Sequence, residues 1–147
     1  RDRGMGICYD IRFPHLFRDL ALAGADILTA PAAFTRQTGE AHWHVLQRAR
    51  AIENGAFVIS AAQGGVHEDG RETYGHSLIV DPWGRVIAEA KGDEPGVIVA
   101  SLALDEVKAA RGKVPNLKNA RSYRIESGLQ PASGQTTTEK ETGESVA

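Results

Sequence analysis

Only one cysteine, Cys8, occurs in the 147 residues, so no internal disulfide can form and the chain reads as one kept in a reducing, cytoplasmic compartment. No apolar run approaches the roughly 20 residues of a membrane span. An excess of charge is missing too: 17 basic side chains face 19 acidic ones, for a net charge of −2. Without a broad field of one sign, nucleic acid and anionic membranes are poor partners, and a small molecule is the better expectation. There is no initiating methionine and no charged and apolar leader, since Arg1-Asp2-Arg3 leads straight into a strand pattern. The chain therefore reads as one that begins in mid-domain, with a length suited to one ordinary domain.

What is present alternates between strand and helix signals. The apolar end of the first strand breaks around Gly6-Ile7-Cys8-Tyr9 into a helix. Phe13, Leu16, Phe17, Leu20 and Ala21 recur at helical spacing behind Pro14, which a first turn tolerates, and Gly24 offers a stop, so this helix runs to about Ala23. Asp26 to Ala30, ended by Pro31, suggests a buried strand. Thr38 and Glu40 offer a cap and a first-turn charge for a second helix from Gly39 to Asn54, with Val45, Leu46, Ala49, Ile52 and Ala56 along one face. Phe57 to Ala62 reads as the next strand. The second half then changes: His76 to Asp81, Val86 to Ala90 and Val97 to Leu102 read as strands, the first two joined by a tight turn at Pro82-Trp83-Gly84-Arg85. Gly64 to Tyr74 has the composition of a surface loop, and Leu104 to Arg111 suits a short helix. These signals point to an α/β fold with a mixed sheet over residues 1–126. From Ser127 onward the chain is too poor in apolar side chains to order itself, so 127–147 is expected to be a disordered tail.

Cys8 stands at a strand-to-helix turn, where free N–H groups at a helix entrance favour thiolate and can hold an oxyanion. Taken alone, a free cysteine in an apolar strand is more often a small core side chain than a nucleophile. Asp10 and Arg12 alternate with Cys8 in sequence, which favours a structural ion pair between them. Alternatively, the Arg12 guanidinium grips a substrate carboxylate through two parallel hydrogen bonds. Among five histidines, His15 falls one turn beyond Cys8 but without a protease-like signature. His42 and His44, two apart on a helix, point to different sides, which argues against a shared metal. His76 at a strand start suits a structural hydrogen bond, and Glu53 suits pairing with the nearby arginines Arg48 and Arg50. Gly64-Gly65 is too short a signal for a phosphate-binding loop.

Read together, Gly4-Met5-Gly6-Ile7-Cys8-Tyr9-Asp10-Ile11-Arg12-Phe13-Pro14, Ala25-Asp26-Ile27-Leu28 with Pro31-Ala32-Ala33-Phe34, Thr38-Gly39-Glu40-Ala41-His42-Trp43 with Arg48-Ala49-Arg50-Ala51-Ile52-Glu53-Asn54, and Tyr74-Gly75-His76-Ser77-Leu78-Ile79-Val80-Asp81-Pro82-Trp83-Gly84 form an ordered series. This series resembles the carbon-nitrogen hydrolase, or nitrilase, superfamily over about Gly4 to Arg124, and its branch of deaminated glutathione amidases and omega-amidases in particular. The resemblance implies a four-layer α-β-β-α sandwich, of which this chain would be the C-terminal part. It also implies chemistry shared by a cysteine, a glutamate and a lysine. A thiolate attacks an amide or nitrile carbon, ammonia or an amine leaves, and water hydrolyses the thioester. By position, Cys8 is the implied nucleophile and Tyr9 the residue whose backbone N–H meets the oxyanion. Arg12 is the implied contact for a substrate carboxylate, and Thr38 matches a substrate-contacting position.

The family's glutamate and lysine precede the cysteine, and only seven residues do so here. Glu40, Glu53 and Lys91 fall in the wrong segments for those roles, so the chain alone is expected to be inactive or nearly so. Neither a cofactor nor a metal is implied. The implied partners are a small-molecule amide and water, and the implied assembly is a homo-oligomer paired through the helices beside the cysteine sheet. Other readings are an N-carbamoyl amino acid amidohydrolase or nitrilase of the same superfamily, and a non-catalytic interaction module.

Overall fold

In the computed structural model, which describes residues 2–124, β1 (Asp2–Met5), α1 (Pro14–Leu22), β2 (Ala25–Thr29), α2 (Arg36–Asn54) and β3 (Phe57–Ser60) follow one another as two β-α-β units. The tail expected over 127–147 lies outside the described residues. β1 pairs parallel with β2, and β2 with β3. Right-handed crossovers between neighbouring parallel strands put both helices on one face of the sheet, where α1 touches β1, β2 and α2, and α2 also packs on β3. The later strands enter antiparallel. β4 (Gly64–Val66) and β5 (Glu72–Tyr74) form a separate hairpin, β6 (Leu78–Val80) pairs with β3, and β7 (Val86–Glu89) pairs with β6. The main sheet runs β1-β2-β3-β6-β7, and α3 (Asp105–Lys113) follows. This is the mixed α/β sheet that the sequence pattern predicts.

The strand register explains where the core sits. Gly4, Leu28, Val58 and Val80 share one row across the sheet. A Cβ at Gly4 would press on Leu20 of α1 at 2.8 Å, so this row faces the helices. Leu28, Val58 and Val80 are fully buried there with Phe17 of α1 and Trp43 and Ala51 of α2. Met5, Thr29, Ile59 and Ile79 form a row on the opposite face. Those side chains are largely apolar, yet Met5 is 64% exposed. Parallel strands carry apolar side chains on both faces because both are normally covered, and here β1 is also an edge strand.

Four places depart from the sequence pattern. α2 starts at Arg36 rather than Gly39, because Thr35 and not Thr38 is its cap: Thr35 Oγ1 accepts from the Thr38 N–H at 3.4 Å. Gly39 lies inside the helix, where a Cβ would fall on Tyr74. The segment from Gly64 to Tyr74 is a hairpin rather than an unpaired loop. Its glycines answer a tertiary demand, since the Gly92 carbonyl passes too close to Gly64 and Gly75 to leave room for a Cβ. Val97 to Leu102 alternates in exposure but forms no strand. Val97 and Val99 are 89% and 83% exposed, and among the described residues no neighbour supplies the hydrogen-bond ladder that a strand requires. His76 precedes β6 instead of opening it. Among the described residues no helix is long and apolar enough to cross a membrane.

Candidate active site

The chain leaves the sheet at the end of β1 through two backbone ties. Gly6 N–H donates to the Thr29 carbonyl at 2.9 Å, and Cys8 N–H donates to the Pro31 carbonyl at 2.8 Å. The Asp10 carboxylate accepts from the Ile7 N–H at 2.9 Å. These bonds set up a short 3₁₀ helix, Cys8–Arg12. Cys8, its first residue, has a φ of 48°, a left-handed conformation that costs a non-glycine residue about 1–3 kcal/mol and clusters at functional sites. A side chain raised on a strained turn at the end of a strand has the layout of the nucleophile elbow of α/β-hydrolases.

Cys8 is half-buried and lines a cleft of about 950 Å³ together with Ala32, Ala62, Gln63, Ser77 and Gly92. These residues follow β1, β2, β3 and β7 or precede β6, which places the cleft at the carboxyl ends of the parallel strands. That is where open α/β sheets bind ligands. Among the described residues no histidine is hydrogen-bonded to the thiol. His15, the nearest in sequence, instead packs its ring against Phe13 at 5.8 Å.

The other sequence-derived site residues do not line the cleft. The first hydrogen bond of the 3₁₀ helix runs from Asp10 N–H to the Ile7 carbonyl at 3.0 Å, so the Tyr9 N–H has no backbone acceptor among the described residues. Arg12 does not pair with Asp10, as their spacing would favour, because that carboxylate is taken by the Ile7 N–H three residues earlier. Arg12 Nη1 donates to His42 Nδ1 at 3.2 Å. A guanidinium cannot accept, so His42 carries its ring proton on Nε2. The Arg12 guanidinium also lies over the rings of Phe34, at 4.9 Å, and Tyr9, at 5.5 Å. Thr38 is bound to Thr35 by their hydroxyls at 2.8 Å. Of Cys8, Tyr9, Arg12 and Thr38, Cys8 alone lines the cleft.

Sequence reasoning missed the buried polar residues that brace this turn. Arg50 of α2 is 4% exposed. Its Nη2 donates to the Ile11 carbonyl at 2.6 Å and its Nη1 to Glu53 at 2.7 Å, the second being the helix-surface pair that the spacing suggests. Gln47 Oε1 accepts from Ser60 Oγ at 2.8 Å, and Ser60 Oγ accepts from the Ala30 N–H at 3.2 Å. The one sequence sign was that Gln47, Arg50 and Asn54 repeat at the spacing of a buried helix face.

His42 and His44 diverge as their spacing requires, yet His44 meets two residues from elsewhere. Glu89 Oε1 accepts from His44 Nε2 and from His76 Nδ1, each at 2.8 Å. Burial pushes the Glu89 carboxyl pKa up, but the hydrogen bonds and charge of the two histidines outweigh it and leave the group below its usual 4.5. A carboxyl depressed in the folded state adds stability above its unfolded pKa and loses it as pH falls through the folded value. Glu89→Gln is therefore expected to lower Tm at neutral pH, and its deficit against the wild type should shrink as the pH drops below 4.5. A deficit that stays constant in circular-dichroism melts down to acid pH would contradict this ionic role.

Residues 3–112, from within β1 to within α3, match the family model described as Carbon-nitrogen hydrolase. The deaminated glutathione amidase of Synechocystis sp. (strain PCC 6803 / GT-S) is 50% identical over 116 residues, covering 79% of this chain and 42% of that protein. The crystal structure of the C. elegans NitFhit protein gives a TM-score of 0.75 at 44% identity, covering 81% of this chain and 29% of that one. A Glu-to-Gln mutant of the amidase from Nesterenkonia sp. AN1, with covalent addition of the acetamide moiety of fluoroacetamide at its active-site cysteine, gives a TM-score of 0.67 at 31% identity, covering 82% of this chain and 41% of that one. This chain thus spans less than half the length of the relatives it matches. With the match running across every strand of the main sheet and through the turn that holds Cys8, this chain belongs to the carbon-nitrogen hydrolase family.

Proposed function

We propose that the protein containing this chain is an amidase that hydrolyses the C–N bond of a carboxylate-bearing amide, with Cys8 as its nucleophile. The observation that carries this reading is the strained left-handed Cys8 at the end of β1, opening on a cleft at the carboxyl ends of the strands. Its support among relatives is that one is named a deaminated glutathione amidase and another bears an adduct on its active-site cysteine. In the proposed reaction Cys8 Sγ adds to the amide carbon, and the displaced electron pair gathers on the carbonyl oxygen. The unclaimed Tyr9 N–H donates to that oxyanion. Collapse breaks the C–N bond, the amine departs with a proton, and water then cleaves the thioester. A thiol needs a neighbouring base to become the attacking thiolate. The general-base glutamate and the lysine are assigned to polypeptide outside this chain, and the isolated chain is therefore inactive.

Arg12 is the assigned carboxylate contact. Four residues of 3₁₀ helix separate it from Cys8 by about 8 Å along the axis. That distance suits a substrate whose acid group lies several bonds from the scissile amide, as in a deaminated glutathione. His42 uses one of its N–H groups and the rings of Phe34 and Tyr9 fix its plane, leaving donors for a second partner. Thr38, in the first turn of α2, is assigned a lesser contact beside it. Arg12→Lys in the full-length protein is expected to raise KM for carboxylate-bearing amides about tenfold with kcat little changed, because a point charge cannot reproduce a two-bond grip. Uncharged amides should be unaffected, and an equal loss for both substrate types would show Arg12 to be structural only. Leu22 of α1 and Val45 and Ile52 of α2 are exposed apolar residues, which supports pairing of subunits through these two helices in a cytoplasmic homo-oligomer.

A further inference from the structure

We infer that His44, His76 and Glu89 form a divalent-metal site, suited to Zn²⁺, that clasps α2 to the β6–β7 hairpin. Their donor atoms, His44 Nε2, His76 Nδ1 and a Glu89 carboxylate oxygen, all lie within 4.8 Å of one another. They come from three separate places: the middle of α2, the turn before β6 and the last residue of β7. Tetrahedral zinc with bonds of about 2.0–2.1 Å places its ligand atoms roughly 3.3 Å apart. The two histidine-to-glutamate distances of 2.8 Å therefore need to open by only about half an ångström around the ion. Two imidazoles and one carboxylate, with water in the fourth position, are a ligand set that zinc takes.

The rings are held more firmly than two surface hydrogen bonds require. His76 has a φ of 58°, a strained conformation that persists only where its surroundings impose it. The Trp43 Nε1–H donates to the His76 carbonyl at 2.8 Å. The His76 ring stacks on Tyr74 at 4.2 Å, and the His44 ring meets Tyr74 edge-on at 5.9 Å. On binding, the ring proton of His44 moves to Nδ1 and that of His76 to Nε2, which frees the nitrogens that now face Glu89 to hold the ion, and any second proton on either ring passes to water. Two neutral imidazoles and a carboxylate then leave one net positive charge on the site. None of the three residues lines the Cys8 cleft, but Ser77 and Gly92, beside His76 and beyond Glu89, do. The ion is thus assigned a bracing role for that wall, and the assignment does not rest on the amidase reading.

The test uses untagged full-length protein carrying Cys8→Ser, so that the thiol cannot supply a ligand. Calorimetric titration with zinc chloride is expected to show one equivalent per chain attributable to this site, and Co²⁺ is expected to give intense tetrahedral visible bands. His44→Ala and Glu89→Gln, added singly, should each weaken zinc binding at least about tenfold and erase those bands. Absence of zinc binding, an octahedral cobalt spectrum, or undiminished affinity in either variant would overturn the assignment. Glu89→Gln keeps the shape and one acceptor of the original side chain, so it remains decisive even where His44→Ala fails to fold.

Discussion

Cys8→Ala in the full-length protein is expected to abolish amide turnover, with a loss in kcat on the order of 10⁴-fold or more, as removal of a covalent nucleophile costs elsewhere. Alanine retains the Cβ and the backbone, so the turn and its ties to Thr29 and Pro31 survive and the fold should be almost unchanged. Ammonia release from a carboxylate-bearing amide measures the first effect and thermal melting the second. Unchanged turnover would remove Cys8 from the chemistry. The strain at this position adds a sharper signature. Glycine adopts a φ of 48° without penalty, so Cys8→Gly should be equally dead yet as stable as the wild type or more so, by up to about 1 kcal/mol after its larger unfolded-state entropy is counted. A residue kept for packing would behave the opposite way, losing stability when the sulfur is deleted.

Trp43→Ala is expected to cost about 4 kcal/mol, a large share of the roughly 5–15 kcal/mol that holds a domain together. Trp43 is fully buried, meets Phe34 edge-on at 5.2 Å and satisfies the His76 carbonyl. Its removal opens a cavity and leaves a polar group unpaired, and these two effects act in the same direction. Phe34 is also the ring under the Arg12 guanidinium, so the damage reaches the setting of Arg12 as well as the core. Urea unfolding checks it: the midpoint should fall with little change in slope, and a loss below about 1 kcal/mol would show that the neighbours collapse to fill the space. Trp43→Phe should fall between, since it keeps the ring but not the N–H.

Much of the fold was legible because the signals were local. The apolar spacing behind Pro14 marks α1, and the short run from Asp26 marks β2. What was not legible depended on distant neighbours. Gly39 looks like a helix boundary until Tyr74 is seen against it, and Gly64 looks like loop until the Gly92 carbonyl is placed above it. Val97 to Leu102 has the alternation of a strand but nothing beside it. In the site, the Cys8 turn could be read from sequence, whereas its backbone strain could not. Arg12 was matched with Asp10 by proximity in the chain, but the closer competitor was a backbone N–H. His44, His76 and Glu89 are 45 and 13 positions apart along the pairs that bond, and no spacing rule joins them.

α2 touches several distant parts of the protein at successive turns: Arg12 through His42, the His76 carbonyl through Trp43, Ser60 through Gln47, and Ile11 through Arg50. Each residue added to or removed from a helix rotates everything beyond it by about 100°, so one insertion near Ala41 would swing all the later anchors off their targets together. The turn between His67 and Arg71, closed on itself by its own backbone bonds, could lengthen without displacing any of them. Changes in chain length among descendants of this sequence should gather at that hairpin tip and be excluded from the long helix.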